Sequence, residues 1–451
     1  MTEHTDYTGA LSAYIAGPAA AQVPASVRDR ARLHILDTFG ACISGATLKP
    51  GRLIIDFVRD LGGGRPEASV MASSIQTGAI QAALANGTLA HADETDDAHF
   101  GTVSHPGSVV VPAALAIGER VHAAGSDLIT AVVLGYDVMC RMGKAMDRRW
   151  MHERGFHSPS AFFGAAAAAS RLLRLAPEQV RCALAFAGTQ ASGLMTWRQD
   201  PEHVDKALVF SGVPARDGVT AALWAQAGLT ATRQIFEGVD NLFNAFGGDP
   251  SELTRELGSR YELLDTSIKK YPVGQPVQAT LEAYFTLAAE YGLSGREIAQ
   301  LVVRLPESQA HTVNDRLMPD VNCQYLLAVA MLDGVLDFRN SHDFERMQAP
   351  EVVELRRRVR LVGDAELTRQ FPAVRSAIVE VTTNDGRRFE KLCDRMPGAP
   401  YNPLPAPEVE SKFLMLSAPV LGENQARQVV DQVRALEEAP DVAALGEALR
   451  R

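Results

Sequence analysis

At 451 residues, 46% hydrophobic and 22% charged, the chain has the composition of an ordinary globular protein and is long enough for two domains with well-buried cores. Its formal net charge of -10 argues against nucleic acid or an anionic membrane as the main partner, so an anionic substrate needs local positive contacts. Five cysteines, Cys42, Cys140, Cys182, Cys323 and Cys393, are spread without a CxxC pair, which is the usage of a reducing compartment and not of a disulfide or zinc framework.

The N-terminus MTEHTDYTGA opens with acids and lacks the basic segment and apolar core of a signal peptide. The weakly polar stretches 109–117 and 161–169 fall short of the ~20 residues of a membrane span, so a cytoplasmic location is expected. Residues 1–24 hold a short helix and a Pro/Ala linker. A capping box, Ser26 to Asp29, is expected to open a largely buried helix through Leu33, Leu36, Phe39, Ala41 and Ile43 to Gly45. Gly62, Gly63 and Gly64 follow a helix and precede no GK[ST], which reads as a helix stop and turn and not as a phosphate cradle.

Residues 86–114, NGTLAHADETDDAHFGTVSHPGSVVVPAA, put four carboxylates (Asp93, Glu94, Asp96, Asp97) and three histidines (His91, His99, His105) into fifteen residues between apolar flanks. Burial moves pKa values toward neutrality, so a dense set of proton-transfer groups between two buried helices suits an acid/base site. The same residues could ligate a metal, although they match neither HExxH nor the calcium loop. They could also form a solvated turn whose acids cap the next helix.

Helices are expected at about 109–123, 127–145, 159–173, 177–190 and 212–228, rich in alanine and glycine and therefore able to pack closely. After Lys270 the composition shifts. Short β-branched runs at 298–305, 357–362 and 375–393 read as strands, the last with Ala377, Val379, Val381 and Thr383 on one face and a hairpin turn at Asn384-Asp385-Gly386. Residues 323–336 read as a buried helix between them, a Pro-rich connector spans 397–407, and a helix pair spans 408–449. The expected fold is mainly α with a smaller α+β domain: residues 1–268 helical, 269–396 α+β, and 397–451 returning to complete the helical domain.

Three basic residues stand out beyond the central stretch. His157 precedes an alanine-rich helix, where the positive helix terminus disfavours its proton, so it can act as a neutral hydrogen-bond donor, as an acid/base or as a cap. Lys206 lies ahead of a helix, and Lys269 falls at the expected domain junction, where ligand clefts commonly form.

The pattern N-G-x-x-x-H-A-x-[DE]-x-D-D from Asn86, followed by His105-Pro106 and by Pro112 to Ala116, resembles the MmgE/PrpD family. The resemblance continues over roughly residues 10–440, in G-F-H-x-x-S around His157, in K-x-L-x-x-G at Lys206 with the glycine one residue late at Gly212, and in I-K-x-Y-P at Lys269. It implies a discontinuous all-helical domain with an α+β lid over a cleft, a homodimer, and cofactor-free, metal-independent chemistry on a small di- or tricarboxylic acid. His105 and His157 would move the proton on the carbon α to a carboxylate, Glu94 and Asp97 would orient or tune them, and Lys206 and Lys269 would hold the charge that develops. His99, Ser104, Gln275 and Tyr325 are expected to contact the substrate, with Arg316 and Asp320 as lid contacts, while Lys270 is the less favoured of the lysine pair.

Two departures touch these motifs. Val273-Gly274-Gln275 stands where the family's dehydratases and decarboxylase usually carry an arginine-ending triplet, and Glu94 and Ala98 replace the Asp and Thr of D-F-D-D-T. They imply a substrate with one carboxylate fewer or differently placed. The expected activity is a lyase, dehydrating or decarboxylating, with an isomerase or epimerase as the alternative. Two other classes are a metal-dependent hydrolase built on His91, Asp93, Asp97 and His99, and a silent binding protein on the same fold.

Overall fold

The structure, a computed structural model, describes residues 5–18, 22–62, 64–147, 149 and 157–451. The chain divides into two compact units, one of Met1–Ala92, Asp96–Thr266 and Val409–Arg451, the other of Asp93–Thr95 and Ser267–Glu408. The tripeptide Asp93–Thr95 thus groups with the second unit while its flanking residues group with the first.

The first unit is helical. Its frame is Ala25–Gly45, Ala79–Ala90, Gly107–Val121, Gly125–Ala145, His157–Leu172, Pro177–Gln190 and Val213–Gln226. Alanine is what permits this: Ala165 to Ala169 are wholly buried on all sides of one helix, which packs against five others. The long helix expected from Ser26 begins at Ala25 behind Pro24, with no side-chain capping bond, and Asp29 pairs with Arg32 instead. The capping box fails because Pro24 presets the helix entry, which leaves Ser26 inside the first turn, where its hydroxyl cannot cap. Gly62 ends Lys49–Leu61 at φ +56°, as the glycine run suggested. Asn86 bonds Met71 N–H and Ser69 carbonyl, tying Ala79–Ala90 to the short ladder of Ala68–Ser69 with Gln76–Thr77.

The C-terminal segment returns to the first unit as three helices, Ala406–Leu421, Glu423–Arg434 and Ala443–Ala448, and not as the expected pair. Gly422 at φ +86° breaks the first from the second. Lys412 reaches Asp37 at 2.7 Å with both side chains buried.

The second unit is built on a four-stranded sheet in the order Val359–Asp364, Ile298–Pro306, Ala377–Thr383, Arg388–Cys393. The first pair is parallel and the other two are antiparallel. Ala377, Val379, Val381 and Thr383 are all buried, as their alternation required, and the Gln278–Tyr291 helix packs against this part of the sheet. The buried helix expected at 323–336 spans Cys323–Asp333 and ends at Gly334 in the left-handed region. All five cysteines are free thiols. Among the described residues no helix is long and apolar enough to cross a membrane.

Candidate active site

In the first unit the loop between Ala79–Ala90 and Gly107–Val121 is not a solvated turn. His91, Asp96, Asp97, His99 and Ser104 are inaccessible and His105 is 8% exposed. His105 Nδ1 donates to the carbonyl of Asp97 at 2.8 Å and lies 3.2 Å from Asp96 Oδ1. A carbonyl can only accept, so the neutral ring carries its proton on Nδ1 and leaves Nε2 bare. No hydrogen bond engages Nε2 among the described residues. Asp96 also receives His91 Nδ1 at 3.0 Å, while His91 Nε2 has no hydrogen-bond partner among the described residues. Burial pushes the Asp96 carboxyl up, but the His91 and His105 rings outweigh it and hold the group well below the usual carboxylate range. Burial holds His91 below the usual histidine range. The result is an ionised carboxylate between two imidazoles, the arrangement that orients a base.

His157 stands against this pair, its ring centroid 5.8 Å from that of His105 and stacked on Phe210 at 4.3 Å. Its Nδ1 accepts the backbone N–H of His105 at 2.9 Å, and its Nε2 donates to the carbonyl of Phe210 at 2.7 Å. Burial first, then the neighbouring His105 and His91, hold it well below the usual histidine range. The depressed affinity for a proton thus comes from desolvation and the neighbouring rings. Both ring nitrogens are engaged by main chain, so the expectation that His157 itself exchanges a proton meets a ring with none to spare.

The Asp97 carboxylate bonds partners other than the His105 ring. Its Oδ2 receives His34 Nδ1 at 2.7 Å and Tyr136 O–H at 2.6 Å, and its Oδ1 receives the N–H of Gly107 at 2.9 Å. Only its carbonyl reaches the His105 ring. Glycine is required at 107, since a Cβ there would stand 2.6 Å from Thr38 Oγ1, 2.7 Å from Tyr136 O–H and 2.9 Å from Asp97 Oδ1. His34 and Tyr136, remote in sequence, were invisible to motif reading.

Lys206 is 7% exposed, its ammonium 4.9 Å from the Trp197 ring and 5.0 Å from the Phe210 ring. It sits on the short helix Val204–Ala207, entered through His203 in the left-handed region at φ 61°. Leu208–Gly212 then forms a π-helical turn. Such a turn accommodates one extra residue. Gly212 is packed where a Cβ would meet Thr88 Oγ1 at 2.1 Å and Leu84 carbonyl at 2.9 Å. Ser211 Oγ meets Ser108 Oγ at 2.7 Å, fastening the turn to the helix that follows His105.

In the second unit Lys269 is fully buried, donates to the carbonyl of Glu94 and lies 4.0 Å from its Oε2. Glu94 N–H donates to Asp320 at 3.2 Å, and Asp93 lies 2.8 Å from His342 Nε2. Burial pushes Asp320 up to about 6. Lys270 is taken by Glu282 at 2.7 Å. Gln275 lines a cavity of about 10 Å³ with Arg375 and Met396, with room for about one water. Tyr325 is a core residue whose hydroxyl bonds the Asn340 carbonyl at 2.5 Å, and Arg316 is exposed.

Other expected contacts are also spoken for. His99 bonds Thr102 through Nδ1 and Glu262 through Nε2, and Thr102 in turn meets Ser104 at 2.6 Å. Among the described residues His91, Asp97 and His99 do not converge as a ligand set. His91, Asp96 and His105 do, but their nitrogen–oxygen separations of 3.0 and 3.2 Å are those of imidazoles sharing a carboxylate. No motif in the sequence marks Asp96 as the partner of His105, the His34–Asp97–Tyr136 group, or His203.

Residues 9–253 match the MmgE/PrpD N-terminal domain and residues 271–438 the MmgE/PrpD C-terminal domain. Over 460 residues the chain is 26% identical to a cis-aconitate decarboxylase of Aspergillus terreus, covering 95% of this chain and 92% of that one. It is 26% identical over 439 residues to the cis-aconitate decarboxylase of Homo sapiens, covering 93% and 89%. It is also 26% identical over 482 residues to the cis-aconitate decarboxylase-like protein oryM of Aspergillus oryzae, covering 98% and 97%. With both family domains present in order over most of its length, the chain belongs to the MmgE/PrpD family and is, at the level of that family, an enzyme of the lyase type.

Proposed function

We propose that this enzyme dehydrates or decarboxylates a small di- or tricarboxylic acid by cofactor-free proton transfer at the carbon α to a carboxylate, with His105 Nε2 as the group that moves the proton. The observation that carries the reading is the His105 tautomer: Nδ1–H is committed to the Asp97 carbonyl, and the bare Nε2 belongs to a ring backed by ionised Asp96. In dehydration Nε2 takes the α-proton, the electron pair forms the double bond, and the β-hydroxyl leaves as water with the proton that Nε2 has taken up. In decarboxylation the pair left on carbon by departing carbon dioxide takes a proton from the protonated His105. Lys206, a buried ammonium beside aromatic rings, supplies charge for a substrate carboxylate. Lys269 holds the Asp93–Thr95 tripeptide through the Glu94 carbonyl. The relatives' names favour decarboxylation, while Glu94, Ala98 and Val273-Gly274-Gln275 argue for a substrate other than theirs.

Proton NMR in deuterated water, with EDTA-treated enzyme and a panel of di- and tricarboxylates and their hydroxy forms, tests this. Exchange at the α-carbon, with alkene or carbon dioxide formed and all of it lost in His105→Gln, is the expected result. An inverted centre without either product would make the enzyme an epimerase. Activity only with an added divalent metal would overturn the reading. We also propose a homodimer, which sedimentation would show at twice the chain mass.

A further inference from the structure

We propose that His157 is a positioning residue that stays neutral and keeps its proton on Nε2 throughout turnover, locking the His105 main chain to the π-helical turn that follows Lys206. This rests on the reading of His105 as the proton-transfer group.

The argument is one of donors and acceptors. The N–H of His105 can only donate, so His157 Nδ1, 2.9 Å away, must be the unprotonated nitrogen. The carbonyl of Phe210 can only accept, so the proton lies on Nε2, 2.7 Å from it. A second proton would have to enter at Nδ1, breaking the bond to the His105 backbone and placing a cation in a side chain only 2% exposed. Losing the Nε2 proton would leave two acceptors facing each other. Neither change yields a ring able to trade protons with a substrate.

The same two bonds explain what the ring does. Phe210 lies within the π-turn Leu208–Gly212, whose first residue follows Lys206 and Ala207 directly, and its ring contacts both the His157 ring, at 4.3 Å, and the Lys206 ammonium, at 5.0 Å. His157 therefore sets the distance between the backbone of the base and the turn behind the cation. A shift of about 1 Å between such groups costs rate without removing either of them.

The test uses the full-length protein labelled with 15N-histidine. Long-range 15N–1H spectra are expected to show His157 as the Nε2–H tautomer from about pH 5.5 to about pH 8.5, unchanged when a dicarboxylate is added. Titration in that range, or a change of tautomer, overturns the proposal whatever the reaction proves to be. In kinetics, His157→Asn keeps an acceptor at the Nδ1 position and is expected to retain activity within about tenfold, with the limbs of the kcat/KM pH profile unmoved. His157→Ala is expected to lose about 100-fold with the limbs again in place. If His157→Asn abolishes a limb as His105→Gln does, His157 exchanges protons and the proposal fails. Loss of activity confined to neither histidine would overturn the reading of His105 and leave the spectroscopic result for His157 standing.

Discussion

The Nδ1 of His105 and the main-chain carbonyl of Asp97 stand 2.8 Å apart, and this bond decides which nitrogen of His105 is bare. The carboxylate of the same Asp97 is turned the other way, onto His34, Tyr136 and the N–H of Gly107. The carbonyl of Asp97 thus holds the His105 ring while its side chain fastens the backbone.

Replacing the base should be costly. His105→Gln is expected to lower kcat by about 10²- to 10⁴-fold and to remove one limb of the pH–rate profile. Asp96→Asn keeps the shape but loses the charge behind Nδ1, and a smaller fall of about 10- to 100-fold is expected. Steady-state kinetics across pH checks both, with circular dichroism to confirm that each variant is folded.

The group holding Asp97 should show in stability before it shows in chemistry. Tyr136→Phe removes one of two donors to Asp97 Oδ2 in a site without solvent, at an expected cost of about 1–3 kcal/mol. Gly107→Ala drives a methyl group into Asp97, Tyr136 and Thr38 and should cost a similar amount or more while lowering kcat. Urea unfolding measures the first effect and turnover the second.

The buried pair of Lys412 and Asp37 links the returning C-terminal helix to Ala25–Gly45. Burial pushes the Asp37 carboxyl up, and Lys412 is the main group opposing this. Lys412→Met leaves that carboxyl without its cation and is expected to cost about 3–5 kcal/mol in chemical unfolding. Adding Asp37→Leu should recover much of the loss, because the uncompensated charge is then gone.

Two buried carboxylates should respond to pH with opposite signs. Glu262 is pushed up by burial but brought down to about 2 by His99 and Lys144, from 4.5. The folded state then binds fewer protons than the unfolded one, so this stabilisation, on the order of 3 kcal/mol, is complete above about pH 4.5 and lost as pH falls through about 2. Asp137 is raised by burial to about 6 from 3.8. Its contribution is full below about 3.8 and lost as pH rises through about 6. Thermal unfolding of Glu262→Gln should therefore show a flatter acid limb. Asp137→Asn should gain on the wild type between about pH 4 and pH 7, by up to about 3 kcal/mol.

Periodicity and local signals set most of the secondary structure. Ala377, Val379, Val381 and Thr383 could only face one side of a sheet, and a chain so rich in alanine and glycine at helical spacing packs as close helices. Local signals failed where two of them competed, as at Pro24 against Ser26. Composition likewise marked the loop from His91 to His105 as chemically dense, and in that loop the Asp96 carboxylate stands between the rings of His91 and His105.

Which carboxylate serves which histidine was decided only in three dimensions. Asp96 and Asp97 are adjacent and identical on paper, yet one faces His91 and His105 while the other faces His34 and Tyr136. A hydrogen bond depends on a few tenths of an ångström and on direction, which the order of residues does not contain. The same holds for His157, whose chemistry is set by a carbonyl at Phe210 and an amide at His105, each more than fifty positions away along the chain. Sequence determined that proton-transfer groups would gather in a buried helical unit; the folded arrangement of main-chain donors and acceptors decided which of them is left with a nitrogen to use.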